Sequence, residues 1–289
     1  MSIRVYIDGQ VREPQAARVS VFDRGFLFGD SVYETIALLD RRLIFLSEHL
    51  DRLVRSAGRI YLALPPRAQV ERAIRETVAA AAEVDARIRV MVTRGAGTID
   101  LDPASAATPE LVVIVQPLGG PTAEMLETGV AVALVKASRT APTGLDPAVK
   151  SGNYLGSVLA IADARRRLPG VHEAILCSSR GSVAEGASSN VFVVEGGRLK
   201  TPAIEVGILD GVTRGKVLEL ARGAGVEARE VSFMAPESLQ VADEVFLTSA
   251  VRGILPVTVV DGVGVGIGRP GPVTRRLLAL YQRLTSEAR

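Results

Sequence analysis

The sequence is short of the side chains that most often build disulfides and metal sites. Its 289 residues include one cysteine, Cys177, two histidines, His49 and His172, and no tryptophan. A single cysteine cannot form an intrachain disulfide, and such usage is typical of a reducing cytoplasm. The histidines are widely separated and no H-x-x-x-H pair occurs, so we expect no metal site and no serine or cysteine triad.

Charge of one sign and long apolar runs are also scarce. The formal net charge is +2, which gives no electrostatic footprint for nucleic acid or an anionic membrane. The chain opens on a strand-like segment, RVYIDGQ, and has no apolar run of signal or membrane length. We therefore expect a cytoplasmic protein that binds neither nucleic acid nor membranes.

What the sequence does contain is an alternation of strand and helix patterns, which predicts an α/β fold. After the apolar run 111–115, the segment PLGGPT (117–122) interrupts both periodicities with two prolines and two glycines. We predict an N-terminal domain over 1–116, a linker over 117–126 and a C-terminal domain over 127–289. Strands are expected at 4–8, 18–22, 87–93, 111–115, 129–136, 173–177, 191–194, 226–231 and 244–247, and helices at 67–84, 154–168 and 212–223. A further helix is expected from about Ser47, which would cap it, with an apolar stripe formed by Leu50, Leu53, Val54 and Ala57.

One lysine, Lys150, lies in a loop of small residues directly before the predicted helix 154–168. We expect the apolar face of this helix to be buried; its members are Leu155, Val158, Leu159 and Ala162. Loss of hydration lowers the pKa of an amine, which prepares a lysine to form a Schiff base. The alternative is an ordinary solvated loop lysine.

Two further features make the Schiff-base interpretation stronger. Glu185 lies in a second loop of small residues, directly before the strand 191–194. The segment GILDGVTR (207–214) then opens a helix at Val212 and Thr213, whose unpaired amide groups predict an anion site. A reactive lysine, a carboxylate and a phosphate cradle are the three groups that pyridoxal phosphate requires.

At this point the sequence resembles the fold-type IV pyridoxal-phosphate enzymes, which include branched-chain aminotransferases, D-amino-acid aminotransferases and aminodeoxychorismate lyases. Six blocks carry the resemblance in order: VFDRGFLFGDSVYETI, HLDRL, KSGNYL, VAEGASSNVF, GILDGVTR and EVFLTSAVRGILPV. The resemblance implies two domains: a smaller N-terminal α/β domain and a larger C-terminal β-barrel-like domain with flanking helices. It also implies a homodimer, with which the aromatic segment Phe26–Phe28 agrees.

The resemblance assigns a role to each residue expected around pyridoxal 5'-phosphate. Lys150 anchors the cofactor and moves the substrate proton, and Glu185 pairs with the ring nitrogen. Tyr154 bonds the phenolic oxygen, and Leu209 packs on the ring. The phosphate contacts are Arg52, Val212, Thr213, Ser249 and the amides of Ala250 and Val251.

Substrate choice follows from residues before and on the strand 87–93. Phe28 and Tyr33 correspond to the aromatic wall of the branched-chain enzymes, and Arg89 corresponds to their strand arginine. This favours an aminotransferase that moves the amino group of a branched-chain or bulky apolar L-amino acid to 2-oxoglutarate. Thr35 instead resembles the aminodeoxychorismate lyases. A D-amino-acid or (R)-amine transaminase is a further alternative, although the loop RGAGTIDLDP (94–103) lacks the histidine of the D-specific enzymes.

Overall fold

The computed structural model describes residues 3–106, 108–138 and 146–287. Within these residues strands and helices alternate, as the sequence predicts. The helices are α1 (Arg24–Phe28), α2 (Leu46–Arg59), α3 (Arg67–Ala81), α4 (Ala123–Thr128), α5 (Leu155–Arg167), α6 (Val212–Gly223), α7 (Ser238–Val241) and α8 (Pro272–Glu287). The strands are β1 (Arg4–Ile7), β2 (Gln10–Arg12), β3 (Ser31–Leu39), β4 (Arg42–Leu43), β5 (Ala86–Thr93), β6 (Glu110–Pro117), β7 (Val130–Ser138), β8 (Glu173–Cys177), β9 (Val183–Gly186), β10 (Asn190–Glu195), β11 (Arg198–Pro202), β12 (Ala228–Val231), β13 (Glu244–Ser249), β14 (Gly253–Val260) and β15 (Val263–Gly264).

The chain folds into two compact units. The first runs to Gly119 and also includes Val149–Asn153, and the second contains Gly120–Ala148 and Tyr154–Glu287. The boundary falls inside the predicted linker 117–126, although its last residues begin α4, where the Thr122 hydroxyl accepts a hydrogen bond from the amide of Met125. The division into independent domains stays a prediction.

The first unit is built on a sheet with strand order β2-β1-β6-β5-β3-β4, in which every neighbouring pair is antiparallel. Alternation along β5 buries Ile88, Val90 and Val92 on one face, because successive side chains of a strand point to opposite faces. Arg89 therefore lies on the other face. Apolar residues of α2 and α3 complete the core on the buried side, among them Leu53 and Ile74.

Residues 149–153 return to the first unit, whereas we expected them in the C-terminal domain. Ser151 forms an isolated antiparallel bridge with Val32. The amide of Tyr33 donates to the carbonyl of Lys150 at 2.9 Å, and the amide of Lys150 donates to Ser56 Oγ at 3.2 Å. Lys150 is thus fixed through its own backbone to β3 and α2.

The second unit contains a sheet with order β12-β11-β10-β13-β14-β7-β8-β9, with β15 paired to β14. Strand β9 packs against β10 and β11 in addition to pairing with β8, so the sheet curls back on itself as a β-barrel-like domain requires. Phe192 and Phe246 are stacked in its interior with ring centroids 4.9 Å apart.

Four local expectations were wrong. Residues 18–22 form no strand. Helix α2 begins at Leu46 after Phe45, without a Ser47 cap, and Val54 is exposed. Helix α3 ends at Ala81 because Ala82 takes a left-handed conformation, with φ of 54°.

The fourth correction concerns α5, whose apolar face was expected to be buried. Leu155 is 71% exposed, Val158 58% and Leu159 59%, whereas the buried residues of the helix are Ala160 and Ala164. The small alanines let α5 approach β7 and β8 closely, and the larger side chains face outward. Among the described helices, none is long and apolar enough to span a membrane.

Candidate active site

Lys150 lies beside an aromatic ring. Its Nζ atom is 4.5 Å from the centroid of the Tyr33 ring, and Tyr33 is buried. Because the backbone of Lys150 is held on both sides by Tyr33 and Ser56, the side chain starts from a fixed point. A cation over a ring face is attracted by the ring quadrupole. The first unit therefore presents Lys150 in a defined place, unlike a solvated loop lysine.

Arg89 contacts the same ring. Its guanidinium carbon is 3.8 Å from the Tyr33 centroid, and Arg89 is paired with Thr35 across β3 and β5. Directly opposed residues of an antiparallel pair share one face of a sheet. Tyr33, Thr35 and Arg89 are therefore brought together, as the substrate prediction requires.

Phe28 ends the short helix α1 and is half-buried. The guanidinium carbon of Arg24 is 5.0 Å from its ring. Arg24 is itself buried and donates to Asp30 at 3.1 Å and to the carbonyl of Asp100 at 2.8 Å. These bonds tie α1 to the loop after β5.

Arg52 is buried and forms an ion pair with Glu34, a residue that the sequence did not indicate as part of the site. Arg52 Nε donates to Glu34 Oε1 at 2.8 Å, and Nη2 donates to Oε2 at 2.7 Å. His49 Nδ1 lies 2.7 Å from the same Oε2. Burial by itself would raise the pKa of Glu34, but the charge and hydrogen bonds of Arg52, with a further contribution from His49, lower it to about 2. The pair fixes the Arg52 guanidinium, and its phosphate contact stays a prediction.

Glu185 lies within strand β9, and not in a loop as we expected, and it is a buried carboxylate of the second unit. Its Oε2 atom accepts hydrogen bonds from the amide of Leu209 at 3.1 Å and from Asn190 Nδ2 at 3.2 Å. Asn190 also donates to the carbonyl of Leu209 at 3.0 Å. Hydrogen bonds to a carboxylate favour its charged form. Glu185 is thus suited to hold a protonated ring nitrogen, and Asn190 is a supporting residue that sequence reasoning missed.

Helix α6 begins at Val212 after Gly211, as predicted. A Cβ atom at Gly211 would overlap Asn190 Oδ1, so a larger residue here would displace the Asn190 side chain from the turn before α6. The amides of Val212 and Thr213 lie in the first turn, where no intrahelical acceptor exists. The side chain of Thr213 is buried and bonds to Tyr281, whose pKa burial raises despite that bond.

A buried hydroxyl next to this helix start fits an oxyanion. Thr248 Oγ1 is buried and has no hydrogen-bond partner among the described residues. Thr248 pairs with Asn190 across β10 and β13, and the Asn190 side chain reaches the turn before α6. Opposed residues share one face of the sheet, so the Thr248 hydroxyl lies on the side of the α6 start. An unsatisfied buried hydroxyl requires a partner, and a phosphate oxygen is a suitable one.

The remaining predicted contacts lie at element ends. Tyr154 is half-buried and directly precedes α5. Ser249 ends β13, and Ala250 and Val251 form the turn that follows it. Within the described residues, no group of three or more His, Cys, Asp or Glu side chains could hold a metal ion.

Each unit carries side chains that fit a pyridoxal-phosphate enzyme, and the comparisons define the class. The amino-transferase class IV family matches residues 31–260. The chain belongs to the class IV aminotransferases, and its mixed α/β fold is the fold-type IV architecture expected from the sequence.

Particular relatives carry more specific names. A putative branched-chain-amino-acid aminotransferase of Methanocaldococcus jannaschii is 37% identical over 286 residues, which cover 99% of this chain and 97% of the relative. A D-alanine aminotransferase of Bacillus licheniformis is 33% identical over 287 residues, covering 99% and 98%.

Solved structures agree with these relatives. The structure of the Escherichia coli branched-chain amino acid aminotransferase superposes with a TM-score of 0.93 at 32% identity. The match covers 99% of this chain and 95% of the Escherichia coli chain. The branched-chain amino acid aminotransferase of Thermobaculum terrenum, solved in its PLP-bound holo form, has a TM-score of 0.86 at 26% identity, with coverage of 99% and 94%.

Proposed function

We propose that the protein is a pyridoxal-phosphate-dependent aminotransferase that moves the amino group of a branched-chain or bulky apolar L-amino acid to 2-oxoglutarate. Membership of the class IV aminotransferases and relatives named for branched-chain amino acids support the reaction class. The observation that carries the proposal is the arrangement of Lys150, whose backbone is fixed on both sides and whose Nζ atom lies at the Tyr33 ring.

Each residue has a distinct task in this reaction. Pyridoxal phosphate, when bound, withdraws electrons from the substrate Cα. Lys150 Nζ would hold the cofactor and, as the free amine, would take the proton from the substrate Cα. Glu185 keeps the ring nitrogen protonated. The first-turn amides of α6 and the hydroxyls beside it hold the phosphate.

Arg89 and Tyr33 support the substrate class. Arg89 can bind a carboxylate, and its planar group also stacks on the Tyr33 ring. The stack shields the charge from an apolar side chain of the substrate, and the guanidinium edge remains a donor. One site can therefore accept both leucine and glutamate.

A second candidate is a D-amino-acid aminotransferase, which the relative of that name favours. The loop 94–103 carries no histidine, whereas the D-specific enzymes that this chain resembles use one there to bind the substrate carboxylate. Thr35 keeps the aminodeoxychorismate lyase as a third possibility.

The alternatives are separated by a half-reaction screen on the purified protein. The substrates are L-leucine, D-alanine, (R)-1-phenylethylamine and aminodeoxychorismate, and the measurement is the change in the visible spectrum of the bound cofactor. We expect L-leucine to change the spectrum and D-alanine to have little effect. A response to D-alanine alone would overturn the proposed stereochemistry, and release of pyruvate from aminodeoxychorismate would favour the lyase.

We also propose a homodimer in the cytoplasm. Exposed apolar side chains of the first unit lie on two joined segments, since the amide of Gly97 donates to the carbonyl of Phe22 at 3.1 Å. These side chains are Val21, Phe22, Phe26, Ile99 and Leu101. Apolar patches of this kind mark interaction surfaces, and the resemblance to the fold-type IV enzymes implies a dimer. If the wild type is a dimer in light scattering, Phe26→Asp should be more monomeric than the wild type, and a monomeric wild type would refute the dimer.

The single free cysteine supports the proposed cytoplasmic location.

A further inference from the structure

The side chain of Arg252 joins three segments of the second unit. Arg252 Nε donates to Ser249 Oγ at 3.0 Å. Its Nη2 atom donates to Glu173 Oε2 at 2.9 Å and to the hydroxyl and carbonyl of Ser188 at 2.8 and 3.2 Å. One guanidinium therefore connects the turn after β13, the start of β8 and the loop after β9.

Glu173 fixes this guanidinium in place. Its side chain is 1% exposed, against 15% for that of Arg252. Oε2 of Glu173 also accepts hydrogen bonds from the hydroxyls of Ser188 at 2.8 Å and Ser189 at 3.3 Å. A buried carboxylate needs such donors and a counter-charge. Arg252 supplies the counter-charge, and the position of its other nitrogen atoms follows from that bond.

The bond to Ser249 orients a hydroxyl that we predict to contact phosphate. A guanidinium has only donors, whereas a serine hydroxyl has one donor and two acceptor sites. Since Ser249 Oγ accepts from Arg252, its own hydrogen points away from the guanidinium. That hydrogen is directed to whatever acceptor lies beside the turn of Ser249, Ala250 and Val251.

We propose that Arg252 is a positioning residue for the cofactor phosphate, which holds the turn 249–251 in place and turns the Ser249 hydroxyl outward as a donor. It acts through Ser249 and does not itself bind the phosphate. The same side chain anchors Ser188 in the loop that follows Glu185, so the turn and this loop are held by one group. This inference rests on the proposed function.

His172 adds a dependence on pH. Its Nε2 atom lies 3.3 Å from Arg252 Nη1, and because arginine only donates, His172 must be the neutral acceptor. Burial, followed by the charge of Arg252, lowers the pKa of His172 below the ordinary 6.5, with Glu173 opposing and Arg165 adding to the effect. Protonation would remove the acceptor and place a second positive charge beside Arg252. The hold on the phosphate should therefore be complete at neutral pH and weaken only as pH falls through this lowered pKa of His172.

The test compares two ligands of the apoenzyme, pyridoxal 5'-phosphate and pyridoxal, which lacks the phosphate. Dissociation constants are measured by absorbance for wild type, Arg252→Lys, Ser249→Ala and the exposed control Arg269→Lys. Arg252→Lys keeps a positive charge near Glu173 and so does not leave this buried carboxylate unpaired. It removes the planar guanidinium and with it the bond to Ser249. We expect Arg252→Lys and Ser249→Ala to weaken pyridoxal 5'-phosphate about tenfold, the value of one lost hydrogen bond, and to leave pyridoxal unchanged.

The outcomes separate this inference from the function on which it rests. Equal weakening of both ligands in Arg252→Lys would mean a general structural role and would overturn the proposal, as would no weakening of either. A wild type that binds neither ligand would refute the proposed function itself. In His172→Gln, which keeps an acceptor but does not titrate, the affinity should fall less between about pH 7.5 and pH 4.5 than in wild type. This range extends about two units below an ordinary histidine pKa, because the pKa of His172 is lowered. An identical fall in both would contradict the role of His172.

Discussion

The guanidinium carbon of Arg89 lies 3.8 Å from the centre of the Tyr33 ring, and the Nζ atom of Lys150 lies 4.5 Å from that same centre. One aromatic ring thus contacts both the amine predicted to react and the cation predicted to bind the substrate carboxylate. Substitution of Arg89 or Lys150 is therefore expected to alter substrate and cofactor binding. It should leave the hydrophobic core unchanged, because the core lies on the opposite face of the sheet.

Lys150→Ala should abolish transamination and remove the visible absorption band of the purified protein. A positioned proton-transfer group contributes about a hundredfold to ten-thousandfold to rate, and loss of the covalent anchor adds to this. The control is Lys200→Ala, a lysine of β11 paired with Glu195, which should keep the band and the rate. A Lys150→Ala protein with the wild-type spectrum would show that another group anchors the cofactor.

Arg89→Ala should damage reactions of glutamate and 2-oxoglutarate more than those of leucine. The guanidinium makes a charge-assisted bond to the additional carboxylate, which contributes about 1.5 to 3 kcal/mol. The measurement is kcat/KM for each substrate, with Arg75→Ala on the exposed side of α3 as the control. Equal losses for leucine and glutamate would assign Arg89 to the α-carboxylate that both share.

Glu34→Gln should lower the free energy of unfolding by about 3 kcal/mol or more at pH 7, because it leaves the buried Arg52 without its counter-charge. The pKa of Glu34 is lowered from 4.5 to about 2, so the stabilisation is complete above pH 4.5 and is lost as pH falls toward 2. Urea unfolding of wild type and variant at pH 7 and at acid pH measures both effects. Glu76→Gln, at an exposed pair with Arg72, should change stability by less than about 1 kcal/mol.

Gly211→Ala should weaken binding of pyridoxal 5'-phosphate, because the added methyl group would overlap Asn190 Oδ1 and push that side chain from its bonds to Glu185 and Leu209. Gly215→Ala is a matched control in the same helix, where a Cβ atom meets nothing within 4 Å. That control should stabilise the protein by up to about 1 kcal/mol and leave cofactor affinity unchanged. Equal affinities in both variants would contradict a role of the Asn190 side chain in supporting the cofactor.

The sequence predicted what depends on local order. The loop of Lys150, the turn before α6 and the small residues around Glu185 are each contained in a few consecutive residues, so these features predicted the cofactor. The sequence blocks that contain them carry the resemblance to the family, and the comparisons confirmed both. The antiparallel pairing of β3 with β5 then places Thr35 directly opposite Arg89.

What the sequence did not predict depends on contacts between distant residues. Periodicity shows that α5 has an apolar face but not which face meets β7 and β8, and here the alanines do so. Glu34 precedes Arg52 by eighteen positions, and their pairing arises only when α2 packs on the sheet. Asn190 was overlooked because its two acceptors, Glu185 in strand β9 and Leu209 in the turn before α6, meet only in the folded chain.

The return of Val149–Asn153 to the first unit limits how the gene can be divided. Expression of residues up to 119 would give a sheet without the segment that bridges Val32 and without Lys150 itself. The complementary fragment would carry Glu185 and the α6 start together with a lysine detached from the strand that orients it. If the two fragments are expressed separately, residues 149–153 of the second polypeptide must therefore pair with β3 of the first to place Lys150. A circular permutation that opens the chain at the same boundary keeps Lys150 in place as long as the chain stays continuous at 148–149 and at 153–154.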